Sequence, residues 1–340
     1  MGQKQEIIMA VETSCDETAV AILADGKELL VNLVSSQIKV HQQYGGVVPE
    51  IASRKHLEQV NALISLALKE AKLSFSQLSA LAVTYGPGLV GALLVGVSTV
   101  KALAYSLRLP LVGVNHIEGH IYANWLMHDR IEFPLVGLIV SGGHTALIEM
   151  KDHGEYILLG QTQDDAAGEA YDKVARAMGL AYPGGPLLDA LARQGDPGAV
   201  KLPRAWLGGE HKYDFSFSGL KTAVLNYLNR AALKGEKVNN ADLAASFQAS
   251  VVEVLVEKTV QAAQEKGLKS VLLAGGVSAN SALREEMQKR CQEEGLKLFY
   301  PPLEFCTDNA AMIASAAHYR YLKGERADWH LNAVPQLRLY

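Results

Sequence analysis

One pattern occurs twice in the chain, and it constrains the fold more than any other feature. In IMAVETSCDETAVAIL a hydrophobic strand runs into a polar turn and returns as a second strand, and LVGLIVSGGHTALIEM repeats this after Phe133-Pro134. Helical periodicity and further strands follow each copy. Because 340 residues suffice for two domains, the sequence predicts two similar α/β halves, at residues 1–129 and 130–340.

Within these halves the clearest predicted helix runs from about Pro49 to Ala71, with an apolar stripe and a proline in its first turn. The apolar run GLVGALLVGVSTVKALAYSL carries Ser98, Thr99 and Lys101, which favours a buried helix over a membrane span. The final helix, 307–323, is expected to pack back on the first half. Since duplicated lobes commonly bind a ligand between them, we expect a nucleotide cleft there.

Composition describes an ordinary globular protein and excludes several classes. Hydrophobic residues make up 49%, charged residues 20%, and the net charge is −4, so nothing in these totals indicates a nucleic-acid binder. Three cysteines are too few and too scattered for a disulfide framework, and the N-terminus lacks the apolar core of a signal peptide. The expected location is therefore the cytoplasm, without membrane attachment.

His116 and His120, in VNHIEGHIYANWL, are the first candidates for a functional site. Spacing of i and i+4 places both imidazoles on one face of a helix, which is a common way to supply two metal ligands. Two unrelated histidines at chance spacing are the alternative. A zinc peptidase would need H-E-x-x-H, but Ile117 follows the first histidine and Glu118 comes one residue later, so the peptidase interpretation is weak.

Four glycine turns could approach a phosphate or a nucleotide with their backbone N–H groups. They are YGPG, SGGHT, PGGP and AGGVSAN, and in the last a helix is predicted to begin near Ser278. Each could equally be an ordinary turn. Asp172 and Asp189 flank PGGP, where they are either solvated helix carboxylates or ligands of ribose hydroxyls. Asp308 is either a first-turn acid after an N-cap at Thr307 or a third metal ligand.

Ten segments together resemble the TsaD family, formerly called Gcp or glycoprotease, over nearly the whole chain. They are VETSCDETAVAI, GGVVPEIASRKH, YGPGLVGALLVG, NHIEGH, LIVSGGHT, AAGEAYDKVAR, YPGGP, FSFSGLKTAV, GGVSANSALR and CTDNAAMIA. The resemblance implies the two-lobed actin/Hsp70/sugar-kinase (ASKHA) fold with RNase H-like lobes. It also implies transfer of a threonylcarbamoyl group from threonylcarbamoyl-AMP to N6 of the adenosine 3′ of the anticodon, in tRNAs reading codons that begin with A.

Site residues and partners follow from the same resemblance. It implies that His116, His120 and Asp308 bind one divalent metal, Fe(II) or alternatively Zn. The implied residues for the adenylate or a related adenine nucleotide are Ile139, Val140, Ser141, Gly142, Gly143, Asp172, Gly185, Asp189 and Asn280. Bacterial members work with TsaB, a paralogue, and with TsaE, a small ATPase.

Two carboxylates and two rival functions complete the expectations. Glu12 and Asp16, in the first polar turn, are candidates for proton handling or for binding through a metal or water. They could equally repel phosphate and only order the loop. The N–H groups of Ser141, Gly142 and Gly143 could stabilise developing negative charge. A metallopeptidase is one rival function. A nucleotide-driven switch or sugar-kinase-like enzyme is the other, because one fold hosts several chemistries.

Overall fold

The computed structural model describes residues 5–206 and 208–340, which divide into two compact units. Unit 1 combines the chain up to Arg130 with Pro301–Tyr340, and unit 2 is Ile131–Tyr300. The boundary after Arg130 lies one residue from the expected boundary after residue 129. The second half does not extend to residue 340, however, because the last forty residues belong to unit 1.

Unit 1 is built on a five-stranded sheet with the strand order β3-β2-β1-β4-β5. Its strands are β1 Ile7–Glu12, β2 Glu17–Ala24, β3 Glu28–Ser36, β4 Ala80–Gly86 and β5 Leu111–Asn115, and its helices α1 Ile38–His41, α2 Pro49–Ala71, α3 Val90–Leu107 and α4 His116–Tyr122. Strands β1 and β2 pair antiparallel, as the first strand-turn-strand pattern predicts. Strand β3 pairs antiparallel with β2, and β4 and β5 are parallel to β1.

Both faces of this sheet are covered, which explains why its strands are almost continuously apolar. Met9 and Val11 pack in the core formed with α2 and α3, whereas Ile8 and Ala10 point to the opposite face and are also buried. The final helix of the chain, Ala310–Leu322, contacts β1 and β2. The return of this helix to the first sheet is therefore observed.

Helix α3 is long and apolar enough to cross a membrane by length and composition. In the structure it packs on β4 and α2. Its glycines permit close approach, because a Cβ at Gly96 would collide with the side chain of Thr13 and one at Gly91 with that of Ser53. These contacts agree with the predicted buried helix.

Unit 2 repeats the strand order of unit 1. Its sheet runs β10-β9-β6-β7-β8, and β6 pairs antiparallel with β7 and parallel with β9. The strands are β6 Leu135–Val140, β7 Thr145–Asp152, β8 Glu155–Gln161, β9 Ser270–Ala274 and β10 Lys297–Phe299. The helices are α5 Ala167–Ala177, α6 Gly184–Ala192, α7 Ser218–Lys234, α8 Asn240–Lys266 and α9 Ser281–Glu293, after which α10 Ala310–Leu322 ends the series in unit 1. The two similar halves predicted from the sequence therefore share the same order of strands in their sheets.

Two predicted helix starts are wrong by about three residues. Helix α9 begins at Ser281, not near Ser278, because residues 276–279 form a 3₁₀ turn and Asn280 caps the helix by accepting from Leu283 N. Helix α10 begins at Ala310, and Asn309 is its N-cap in place of Thr307. In both cases an asparagine side chain, which caps as well as threonine or better, sets the start.

The tail after α10 lies along unit 1. Ala327 N donates to Leu111 O and Val334 N donates to Tyr85 O. These backbone bonds attach the tail to two strands of the sheet.

An acidic pair after β8 fastens α5 to α7 in unit 2. Asp164 accepts from Phe217 N and Ser218 N at the start of α7. Asp165 binds Lys173 of α5 at 2.7 Å and Lys221 of α7 at 2.5 Å. Burial raises the pKa of Asp165, but the two lysines outweigh this effect and lower it to about 2.

Replacing this carboxylate should destabilise the protein in a pH-dependent way. Because the folded-state pKa of Asp165 is depressed, its contribution is present at neutral pH and is lost as the pH falls from about 4 through about 2. We expect Asp165→Asn to lower the free energy of unfolding by about 1 to 2 kcal/mol at pH 7. Urea unfolding should show about half of that difference at pH 3.

Glu169→Gln is the matched control for Asp165→Asn. Glu169 binds the same lysine at 2.8 Å but is 45% exposed, so its removal should change the free energy of unfolding by less than about 0.5 kcal/mol. Equal effects of the two substitutions, or a pH-independent effect of Asp165→Asn, would rule out this account.

Candidate functional site

Helix α4 carries both candidate histidines directly after β5. Asn115 ends the strand and caps the helix, and its Oδ1 accepts from Ile117 N at 2.8 Å and Glu118 N at 3.4 Å. The two imidazole rings lie 4.7 Å apart with an angle of 81° between their planes. The strand end and the cap therefore fix the start of the helix, on which the two histidines lie one turn apart.

The loop before α10 adds Asp308 to the two histidines. Its Oδ1 lies 3.5 Å from His116 Nε2 and 3.3 Å from His120 Nε2. One ligand atom of each residue lies within 4.8 Å of the others, so the three side chains could hold a metal ion. The structure thus brings together two neighbours in sequence and a carboxylate almost 190 residues further along the chain.

The donor set fits a divalent transition metal. Bonds of about 2.0 to 2.2 Å to nitrogen and oxygen place the ligands of one ion about 3 to 4 Å apart, which is the spacing found between each histidine and Asp308. Two imidazoles and one carboxylate suit Fe(II) or Zn and leave positions open for a substrate. His120 is almost fully buried and Asp308 is 21% exposed. A substrate would therefore reach the open coordination positions past the carboxylate of Asp308.

Glu12 lies behind His116 and is itself fully buried. Its Oε2 accepts from Thr84 Oγ1 at 2.5 Å and lies 3.1 Å from His116 Nδ1, while its Oε1 accepts from Ser14 N. Burial by itself raises the pKa of Glu12, but the charge and hydrogen bond of His116 outweigh it and keep the pKa below its usual value. Glu12 is thus placed to orient His116, as carboxylates commonly do behind metal-binding histidines.

His116 is held between carboxylates on both ring nitrogens. Glu12 faces Nδ1 and Asp308 faces Nε2. Burial disfavours the charged imidazole, yet the two carboxylates together raise its pKa well above the usual value. A divalent cation would take the place that this positive charge occupies between the carboxylates.

Asp16, the other predicted catalytic carboxylate, lies in the same turn and is buried. Glu17 follows it and was missed by the sequence reasoning. Burial, followed by the charges of Asp308 and Asp16, raises the pKa of Glu17 to about 9. In the sequence, the only indication of a perturbed Glu17 was that two acidic residues stand side by side in CDE.

The SGGHT turn of unit 2 follows β6. Ile139 and Val140 are buried in that strand, so only their backbone groups can serve a ligand. Ser141 N donates to His144 O at 2.8 Å. Within residues 5–206 and 208–340 no hydrogen bond engages the N–H groups of Gly142 or Gly143, which are the donors that this turn can offer.

The PGGP turn is fastened to α5 by Asp172. Asp172 Oδ1 accepts from Gly184 N at 2.8 Å and from Gly185 N at 3.3 Å. Burial raises the pKa of Asp172 although these two bonds oppose the change. A Cβ at Gly185 would meet nothing within 4 Å, so space is open beside this turn.

Asp189 and Asn280, the remaining predicted ligands, lie in one hydrogen-bonded network. Asp189 of α6 accepts from Ser281 Oγ at 2.7 Å and from Gln248 Nε2 at 3.0 Å. Asn280 Nδ2 donates to Gln248 Oε1 at 2.7 Å. Gln248 and Ser281 were not anticipated from the sequence, since nothing in the surrounding helix pattern distinguishes them.

Comparison with known proteins gives full-length matches. The TsaD family model, described as tRNA N6-adenosine threonylcarbamoyltransferase, matches residues 28–315. The tRNA N6-adenosine threonylcarbamoyltransferase of Moorella thermoacetica is 58% identical over 98% of this chain and 97% of its own. That of Anoxybacillus flavithermus is 57% identical over 100% and 99% of the two chains.

Solved structures with little sequence identity share the fold. HypF from T. kodakarensis gives a TM-score of 0.64 at 16% identity over 95% of this chain, which spans about half (48%) of HypF. Component A of the Acidaminococcus fermentans (R)-2-hydroxyglutaryl-CoA dehydratase gives 0.51 at 15% identity, covering 94% of this chain and 98% of its own. The predicted ASKHA fold class, with a duplicated α/β unit, is confirmed.

Proposed function

The chain belongs to the TsaD family of tRNA N6-adenosine threonylcarbamoyltransferases, and from that premise we propose how its residues carry out the transfer. The protein is a transferase that modifies tRNA. The proposed donor is threonylcarbamoyl-AMP, and the acceptor is N6 of the adenosine 3′ of the anticodon in tRNAs reading codons that begin with A. The supporting observation is the convergence of His116, His120 and Asp308 in a chain so closely related to these enzymes.

The bonds exchanged in this reaction limit what the protein must supply. The N6 amine attacks the carbamoyl carbon, the bond from that carbon to the phosphate oxygen breaks, and AMP leaves with the electron pair. The mixed anhydride has a good leaving group, whereas an exocyclic amine of adenine is a poor nucleophile. Positioning and charge stabilisation should therefore supply most of the rate enhancement.

Unit 2 is proposed to bind the adenylate part of the donor. The N–H groups of Gly142 and Gly143 would donate to the phosphate or to the carbamoyl oxygen, with Ile139, Val140 and Ser141 shaping the turn. Asp172 and Gly185 line the open space beside PGGP, and Asp189 and Asn280 would bind the nucleoside. Two carboxylates and an amide suit the hydroxyls and ring nitrogens of a nucleoside.

His116, His120 and Asp308 of unit 1 are proposed to hold Fe(II), with Zn as the alternative. When bound, the ion would act as a Lewis acid toward a carbonyl or phosphate oxygen. Glu12 keeps the imidazole of His116 oriented through Nδ1. Asp16, a carboxylate of the same turn, is the proposed acceptor for the proton that the N6 amine loses.

One contact argues against a metallopeptidase. Glu118, which would have to serve as the general base, is buried and binds Arg320 Nε at 2.6 Å. Peptide hydrolysis needs a base that can receive a proton from water beside the metal. A sugar-kinase-like enzyme or a nucleotide switch would give no role to the three convergent ligands.

Partners and location follow from the proposed reaction. The substrate tRNA and the adenylate place the enzyme in the cytoplasm. TsaB and TsaE are the proposed protein partners. A net charge of −4 provides no excess of positive charge for tRNA binding, so a partner is expected to contribute to the tRNA-binding surface.

Product analysis tests the proposed reaction. The protein, its two partners and threonylcarbamoyl-AMP are incubated with unmodified tRNA, which is then digested to nucleosides. We expect one threonylcarbamoyladenosine per tRNA and one AMP released per transfer. A tRNA with guanosine 3′ of the anticodon is the control and should accept nothing. Modification elsewhere in the tRNA, or AMP release without modification, would contradict the proposal.

A further inference from the structure

Gln248 is a buried side chain outside the proposed set of ligands. It lies in the third turn of α8 and is 5% exposed. Its amide lies between the two proposed nucleoside ligands, donating to Asp189 Oδ1 at 3.0 Å and accepting from Asn280 Nδ2 at 2.7 Å. Gln248 is thus the one side chain that hydrogen-bonds to both in the described residues 5–206 and 208–340.

The orientation of the Gln248 amide is fixed by its neighbours. Asn280 Oδ1 accepts from Leu283 N as the cap of α9, so Asn280 must turn its Nδ2 toward Gln248. The hydroxyl of Tyr171 donates to the same oxygen, Gln248 Oε1, at 3.3 Å. With two donors on its oxygen, Gln248 must turn its nitrogen toward the carboxylate of Asp189.

This arrangement distinguishes the two oxygens of Asp189. Oδ1 accepts from Gln248 and from Ser281 Oγ, at 3.0 and 2.7 Å. Oδ2 has only longer contacts, at 3.3 Å from Ser281 N and 3.4 Å from Arg193. A ligand hydroxyl that competes for Asp189 would therefore replace contacts on Oδ2 more easily than those on Oδ1.

We infer that Gln248 is a positioning residue that, with Ser281, holds Oδ1 of Asp189 and presents Oδ2 to a hydroxyl of the nucleoside. Through the same amide it keeps Asn280 in place beside the ligand. The inference rests on the proposed function, because it assumes that Asp189 and Asn280 bind the adenylate. The inference adds that Gln248 of α8 connects Asp189 and Asn280, which lie on different elements.

The test uses adenosine as the binding probe and threonylcarbamoyl-AMP as the substrate. Gln248→Met keeps the size of the side chain and removes its hydrogen bonds to Asp189, Asn280 and Tyr171, while Gln248→Glu keeps its shape and opposes Asp189 with a second carboxylate. We expect each to weaken adenosine binding about tenfold or more. The KM for threonylcarbamoyl-AMP should rise to match, with kcat within about twofold of wild type.

Three further variants separate positioning from a loss of structure. Ser250→Ala, in the same helix, removes a buried hydroxyl that donates to Ser246 O, and it should bind adenosine like wild type. Ser281→Ala removes the other partner of Asp189 Oδ1 and should raise KM as Gln248→Met does. Asp189→Ala should lose adenosine binding altogether.

The outcomes distinguish this inference from the proposed function. If Asp189→Ala loses adenosine while both Gln248 variants and Ser281→Ala bind it within twofold of wild type, the positioning role is wrong and the proposed nucleoside site stands. If Asp189→Ala binds adenosine normally, the proposed nucleoside site fails, and the inference fails with it. A fall in kcat as large as the rise in KM would indicate structural damage and would also overturn the positioning role.

Discussion

Asp308→Ala should lower the affinity for Fe(II) and Zn(II) by at least about a hundredfold and reduce threonylcarbamoyl transfer by a similar factor. Asp308 Oδ1 is the atom toward which both histidine Nε2 atoms point. Its removal takes away the carboxylate ligand and the negative charge that offsets the cation. Substituting residues that only support a ligand typically costs 10-fold to 100-fold in affinity, and loss of a ligand should cost more.

Metal content after removal and reloading, measured together with transfer activity, checks this expectation. Asp328→Asn is the matched control, because Asp328 lies in the same C-terminal segment and its carboxylate accepts from His330 N in the exposed tail. It should bind metal and transfer the group as wild type does. If Asp308→Ala retained a full equivalent of metal at wild-type affinity, the assignment of the three ligands would be wrong.

Glu12→Gln should weaken metal binding by about 10-fold to 100-fold without breaking up the ligand set. The amide retains the shape of the carboxylate but loses the charge that orients and polarises His116 through Nδ1. It also brings an NH₂ group close to Ser14 N and Thr84 Oγ1, which are the donors that Glu12 now accepts from. Transfer activity should fall in parallel and recover partly at high metal concentration.

Glu17→Gln is the control for Glu12→Gln, because Glu17 begins β2 just after the turn that follows Glu12, and its carboxylate accepts from Ser36 Oγ at 3.0 Å. The amide can keep the bond from Ser36, so metal affinity should stay within about twofold of wild type. If excess metal failed to rescue Glu12→Gln at all, Glu12 would act on the substrate itself rather than through His116.

Periodicity predicted most of the fold because it reports which face of an element is buried. The helix Pro49–Ala71 and the first strand-turn-strand pattern are observed with nearly the predicted limits. Strand β8, Glu155–Gln161, was not predicted. It lies at the edge of its sheet, and most of its residues are exposed or only partly buried, so it has no clear buried face. The starts of α9 and α10 were wrong because caps depend on single asparagines rather than on a pattern.

Less of the candidate site than of the fold could be predicted from the residues alone. Spacing of i and i+4 predicts two imidazoles on one helix face, but no spacing rule connects them to Asp308, which the resemblance supplied. The position of Glu12 behind His116 depends on the register of β1 beside β4. Gln248 could not be identified from the sequence, because its partners Asp189 and Asn280 lie 59 and 32 residues away.

Transfer of labelled threonylcarbamoyl from prepared adenylate to unmodified tRNA, by wild type and by His116→Ala, tests the central claim most directly. Both reactions would contain TsaB, TsaE and the metal. The account predicts label in the tRNA with wild type and at least about a hundredfold less with His116→Ala, since the substitution removes one of three ligands. Equal labelling by the two proteins would contradict the metal centre, and no labelling by wild type with active partners would contradict the transferase.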